Sequence, residues 1–284
     1  MPLAYERLRD LVLPPQRQVL TRRRTAFYAL AVGVGHDPLD EAQLAFVDPG
    51  RELVALPSMA TVLASSALWL SDPVYGADFT RAVNAEQTVV LHRPLPVEGE
   101  LVGVTRVIGV VDKGPGRGAL VYAERTVNDA ATGDLLATVG ATTFLRGDGG
   151  FGGPAGPVRE PHQVPQTPPD RTVDLATRPE QALFYRFNGD DNPLHVDPQA
   201  AMRAGFSRPI LHGLCTFGVV CHALVRALCG YDPARMRSLE ARFSAPVFPG
   251  ETIRTEIWND GSFQSVVVER GVVVVSHGHA HVLP

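Results

Sequence analysis

The 284-residue sequence predicts an α+β fold built twice over, with one helix lying across a curved antiparallel sheet in each half. Three observations carry this. The same order of elements, an apolar helix and then four strands, appears on both sides of a central break. The break, Gly147 to Asp170 (GDGGFGGPAGPVREPHQVPQTPPD), is too rich in Gly and Pro for a helix or a central strand, so it reads as a linker. Across it, RPLPVEGEL (Arg93 to Leu101) matches APVFPGETI (Ala245 to Ile253) with one inserted residue, each carrying two prolines and Gly-Glu before a strand. The expected organisation is therefore a first half over 1–146, a linker over 147–170 and a second half over 171–284.

In the first half, PSMATVLASSALWLS (Pro57 to Ser71) reads as an apolar helix of small residues. EQTVVLHRPLP, ELVGVTRVIGVVDKG, GALVYAERTVND and LLATVGATTFLR follow as strands rich in Val, Leu and Thr. In the second half, HGLCTFGVVCHALVRALCG (His212 to Gly230) reads as the helix, ended by Gly230. Its strands are MRSLEARFSAPV, TIRTEIWND, SFQSVVVER and VVVVSHGHAHV. Turn signals, DKGPGRG in one half and NDGS in the other, suit successive antiparallel strands.

Composition narrows the function classes. Hydrophobic residues at 45% and charged residues at 20% place the chain among globular proteins that bury a real core. A formal charge of -4 gives no electrostatic reason to expect nucleic acid. Cys215, Cys221 and Cys229 are odd in number and spaced unlike zinc ligands, which fits a reduced cytoplasm better than a disulfide scaffold. The N-terminal stretch lacks the apolar core of a signal peptide, and no apolar run is long enough to span a bilayer. A phosphate loop is not expected in the Gly-rich break, because Pro154 and Pro157 stand where a Lys and a hydroxyl residue would be needed.

The stretch that carries chemistry is YRFNGDDNPLHVDP, Tyr185 to Pro198. Its Asp-Asp-Asn-Pro is good turn chemistry, and Asp197-Pro198 reads as the N-cap and first-turn Pro of a helix through QAAMRAG. A purely structural turn would account for that much. The combination says more: Asp190 and His195 share one short loop, followed by RPILHGL leading into the buried helix. A carboxylate and an imidazole beside an apolar cavity hold and polarise a water or shuttle a proton, and the helix N-terminus offers N–H groups to a developing oxyanion. YALAVGVGHDPLD (Tyr28 to Asp40) is a faded counterpart in the first half, with Gly35 where Asp190 stands and Asp40 where His195 stands.

The pattern Gly-Asp-x-Asn-Pro-Leu-His followed by PILHGL resembles the signature of the (R)-specific enoyl-CoA hydratases, or hydratase 2, within the MaoC-like dehydratases. FYALAVGVG, EQTVVLHRPLP, VVDKGPG and LRGDGGFGG extend the likeness through the first half, to the hydratase portion of peroxisomal multifunctional enzymes, so that it covers about Tyr28 to Val282. The resemblance implies a double hot-dog fold and reversible hydration of a trans-2-enoyl-CoA to an (R)-3-hydroxyacyl-CoA. It implies Asp190 and His195 as the catalytic dyad, the backbone N–H of Gly213 as oxyanion donor and Asn192 as a residue that orients the dyad or its loop. No cofactor or metal is expected, coenzyme A being part of the substrate. The partners implied are an acyl-CoA thioester and, through sheet edges, a second copy in a homodimer. Two departures stand out: Asn188 replaces the usual Ser, keeping a local hydrogen bond, and Asn84 stands where relatives often carry a His. The degenerate first half is expected to house the acyl tail, its helix kinked or shifted.

The competing functions are a thioesterase on the same kind of fold and a non-catalytic acyl-CoA binding protein. Arg208, next to the motif, and the basic run Thr21 to Arg24 are candidates for the phosphates of coenzyme A, and His212, at the start of the helix, for fixing the oxyanion loop on the substrate side. Asp191 is expected at solvent, and His222 and the cysteines in packing. His277, His279 and His281 alternate on a strand, a spacing that attracts a metal, but no carboxylate or cysteine accompanies them.

Overall fold

Successive Val- and Thr-rich runs with turn residues between them form antiparallel strands, since each exposes one row of side chains to a core and pairs its backbone with the next. In the computed structural model, which describes residues 2–37, 39–66 and 68–284, the strands are β1 (Gln16–Leu20), β2 (Ala82–Leu91), β3 (Gly99–Asp112), β4 (Ala119–Asp129), β5 (Leu135–Leu145), β6 (Arg171–Ala176), β7 (Met236–Phe243), β8 (Thr252–Ile257), β9 (Ser262–Val267) and β10 (Val272–Val282). They form one sheet in the order β1-β3-β4-β5-β2-β7-β10-β9-β8-β6. The right half repeats the left in reverse, each strand of the first half matched by the strand five places later. The repeat read in the sequence is thus an internal two-fold, with β2 against β7 at its centre. Glu86 lies opposite Arg242 across that seam and pairs with it.

The helices are α1 (Tyr5–Leu8), α2 (Arg22–Ala31), α3 (Glu41–Val47), α4 (Gln181–Tyr185), α5 (Pro198–Arg203) and α6 (Gly213–Cys229). α6 is apolar around most of its circumference, which suits a helix enclosed on all sides. It ends as the sequence predicts, with Gly230 left-handed at φ 59°. Val32, the residue that ends α2, lies so close to it that a Cβ on Gly218 would overlap the Val32 side chain. Among the described residues no helix is long and apolar enough to cross a membrane.

The first-half helix departs from expectation. Pro57 to Ser71 does not form one helix: a 3-10 turn spans Pro57–Val62, a second spans Trp69–Ser71, and Ala67 lies outside the described residues. Ala64 sits between them at φ 44°, a conformation a non-Gly residue adopts only when its surroundings impose it. Three contacts impose it here. Arg125 donates to the carbonyls of Ala60 and Thr61, Gln18 accepts the N–H of Ala64, and Gly103 leaves room where a Cβ would overlap the Ala64 carbonyl. The double hot-dog architecture holds, with a full central helix in the second half and an unwound one in the first.

The Gly/Pro-rich break crosses from one half to the other as a fastened strap. Asp112 accepts from the N–H groups of Gly150 and Gly152, Arg159 pairs with Glu240, and Trp258 Nε1 donates to the Thr167 carbonyl. His277 falls in a bulge of β10 at φ 54°, and its Nδ1 donates to the His162 carbonyl at 2.8 Å. The regular alternation expected for His277, His279 and His281 is therefore interrupted, and among the described residues they do not gather as a metal-holding group.

Candidate active site

The loop that presents Asp190 and His195 is made by local chemistry. α4 runs into a 3-10 turn, Arg186–Asn188, and Gly189 at φ 106° then reverses the chain. No protein atom crowds Gly189, so the demand for glycine there comes from the backbone angle. Asp190 Oδ1 accepts the N–H of Asn192, and Asn192 Oδ1 accepts that of Leu194, capping the turn Pro193–His195. Asp197 caps α5 in the same way, with Pro198 at its first position. Asn192 thus acts on the loop through its caps. Asn188 is buried and its Nδ2 donates to the Tyr185 carbonyl at 3.0 Å, the local bond expected of an amide at that place. Asp191 points to solvent beside Arg186.

His195 is buried, and its Nδ1 lies 2.9 Å from the Ile210 carbonyl. A carbonyl only accepts, so Nδ1 carries the proton and Nε2 of the neutral ring is left with its lone pair. Burial holds this imidazole below its ordinary pKa, against the opposing pull of Asp190 and of the Ile210 bond. His212 stacks on it, ring centroids 3.8 Å apart, and donates through Nε2 to the Asp190 carbonyl at 3.3 Å. Burial, reinforced by His195, pushes His212 down to about 2, so it is neutral. It locks both members of the pair from behind. The Asp190 carboxylate and the ring nitrogens of His195 and His212 lie within 4.8 Å of one another.

Beside them α6 begins. Its N-cap is His212, whose side chain makes no cap, so the first N–H groups of the helix stay open. Asp190, Asn192, His195 and Gly213 all line one cavity of about 700 Å³. A Cβ on Gly213 would meet only the Phe243 ring at 3.7 Å, ordinary contact, so any need for glycine there comes from the cavity side. The cavity continues into the first half, where the unwound segment leaves space over the sheet. There it is lined by Thr61, Ala64, Ser65, Asn84, Gln87, Thr105, Ala123, Arg125 and Thr143.

The remaining candidates divide. Arg24, last of the basic run, lines the cavity. Arg208 does not; its guanidinium lies over the Phe248 ring, 4.8 Å from the centroid. His212 is likewise behind the wall and touches the dyad instead of the cavity. Cys221 and Cys229 are pushed up by burial to about 12 and about 11, which suits packing and not nucleophilic chemistry. Sequence reasoning missed Ile210, whose carbonyl carries no side-chain signal, and Arg125. The signal for Arg125 was present: Val121, Ala123, Arg125 and Val127 alternate inward along β4, and a charge at an inward position of such a strand is rare.

Comparison with known proteins finds likeness in both halves. Residues 160–280 match the family model described as a MaoC like domain, and residues 19–147 match the MFE-2 hydratase 2 N-terminal domain. The peroxisomal enoyl-CoA hydratase 2 of Arabidopsis thaliana is 36% identical over 93% of this chain and 91% of its own length. The 3-hydroxyacyl-thioester dehydratase Y of Mycobacterium tuberculosis is 40% identical over 89% of this chain and 92% of its own. The crystal structure of a MaoC-like dehydratase from Phytophthora capsici superposes with a TM-score of 0.83 at 34% identity, covering 97% of this chain and 96% of that one. A duplicated sheet around one whole and one unwound helix, an Asp/His loop at the N-terminus of the whole helix, and likeness over nearly the full length assign this chain to the MaoC-like dehydratases, in their hydratase 2 branch.

Proposed function

We propose that the protein catalyses the reversible addition of water to a trans-2-enoyl-CoA, giving a 3-hydroxyacyl-CoA of the (R) hand that kinship with hydratase 2 implies. The observation that carries this is the meeting of Asp190 and His195 beside the open N-terminus of α6, at one side of a cavity large enough for an acyl chain. Asp190 and the Nε2 lone pair of His195 both accept, so a water between them gives one hydrogen to each. As its oxygen bonds the β-carbon, one proton passes to the dyad and the electron pair of the double bond moves onto the thioester oxygen. The N–H of Gly213 faces that oxyanion. The dyad then returns a proton to the α-carbon, and water has been added with no proton gained or lost by the protein.

Arg24 is our candidate for the coenzyme A phosphates, because it lines the cavity where Arg208 does not. The three unpaired, buried cysteines favour a reducing cytoplasm, and the open edges β1 and β6 favour a homodimer, which sedimentation would test.

Loss of enone absorbance on mixing with crotonyl-CoA and longer enoyl-CoA esters tests the activity, with chiral analysis of the product. Asp190→Asn and His195→Gln should each lower kcat/KM by at least about a hundredfold with folding intact. Release of free thiol in place of hydration would instead identify a thioesterase.

A further inference from the structure

Arg125 is a cation in the wrong place for a pocket that takes a plain hydrocarbon chain. Only 8% of it is exposed, and it projects from the middle of β4 into the first-half side of the catalytic cavity. Its terminal nitrogens donate to Ser65 Oγ at 2.8 Å and to the Ala60 and Thr61 carbonyls at 3.0 and 2.7 Å. All three partners are neutral, its Nε–H has none, and among the described residues no carboxylate pairs with it. Burial alone lowers its pKa to about 10, which leaves it charged at neutral pH. A guanidinium shut away from water without a counter-charge is unfavourable unless something brings one. The neighbouring wall is polar too: Ser65, Asn84, whose Oδ1 is unpartnered, Gln87 and Thr105 line the same cavity. Asp190, the carboxylate on that lining, belongs to the reacting end on the second-half side.

We infer that Arg125 is a specificity-determining residue that receives an anionic group, a carboxylate, carried on the acyl tail of the substrate. This rests on the hydratase reading of the site and names its substrate class. The helix-unwinding bonds to Ala60 and Thr61 use Nη2, while Nη1 donates only to Ser65, so holding those carbonyls and receiving a tail on Nη1 are compatible tasks. The unwound segment opens the space and the cation that unwinds it charges that space. A hydrocarbon tail would leave the guanidinium charge unanswered, whereas a carboxylate answers it.

The test compares trans-2-enoyl-CoA esters of equal carbon number ending in a methyl group or in a carboxylate, over a series of lengths. The expected result is a kcat/KM for the carboxylate-ended ester higher by at least about tenfold at the length that reaches Arg125, a ratio that collapses in Arg125→Met and persists in part in Arg125→Lys. Equal or better turnover of the methyl-ended ester at every length would overturn the inference while leaving the hydratase reading intact. A purely structural Arg125 would lower stability in Arg125→Met without moving the ratio, which also overturns it. If Arg125→Met does not fold, the wild-type ratio decides alone. If no ester is turned over, the hydratase reading fails by itself. Calorimetric binding of saturated acyl-CoA esters with the two endings then decides for or against the tail-end carboxylate.

Discussion

Acid should unfold this protein through its buried histidines before its carboxylates are protonated. His222 sits on α6 with 1% of its surface exposed, its Nδ1 has no partner, and its Nε2 is 3.5 Å from the Tyr231 hydroxyl. Burial first, then the charge of Arg226, pushes its pKa from 6.5 down to about 4, with Asp40 opposing. The folded value lies below the unfolded one, so the unfolded chain takes the proton first. The stability this group contributes is complete above pH 6.5 and is lost as the pH falls towards about 4. At about 1.4 kcal/mol per pH unit, that interval is worth about 3 kcal/mol. His212, pushed down to about 2, adds a parallel loss over the same range. The clean perturbation is His222→Leu, distant in sequence from the dyad loop and apolar enough for its site. Urea unfolding at steps from neutral pH to about pH 5 should give a wild-type free energy that falls more steeply than the variant's below pH 6.5, with the excess slope approaching about 1.4 kcal/mol per pH unit near pH 5. Two parallel lines would refute the reasoning, because His222 would then be titrating alike in both states.

The depressed His195 has a kinetic counterpart: kcat/KM for hydration should hold constant as the pH drops through the ordinary histidine range and fall only below it, as Nε2 takes a proton; a break at or above 6.5 in the pH–rate profile would contradict it. Gly103→Ala would force a methyl group against the Ala64 carbonyl, so a loss of about 1–3 kcal/mol and a melting point lower by several degrees are expected, together with weaker turnover of long-chain esters relative to crotonyl-CoA. Asp112→Ala removes the carboxylate that holds Gly150 and Gly152, and limited proteolysis should then cut between Gly147 and Asp170 faster than in the parent protein, with the two halves otherwise intact.

Much of the fold and of the site is written in local sequence. Gly230 ends α6 because an achiral residue takes the left-handed turn, Asp197 and Pro198 start α5 by capping, and Asn192 shapes the loop by bonding the backbone two residues on. These are interactions over a few residues, so a pattern of a few residues reports them. The repeat was legible for a related reason: strands with one buried face leave an alternation that survives duplication. The unwound first helix was not legible. PSMATVLASSALWLS is as apolar as a helix needs, and what breaks it comes from Gln18 on β1, Gly103 on β3 and Arg125 on β4. Likewise, the spacing of Asp190 and His195 announces an acid-base pair. Only tertiary structure supplies the Ile210 carbonyl that fixes the tautomer, the His212 ring that holds it, and the buried guanidinium of Arg125 across the cavity. Local chemistry marked out the candidate acid-base residues. Contacts between segments far apart in the chain decided their protonation and the shape and charge of the space they face, because burial and pairing are properties of the assembled core.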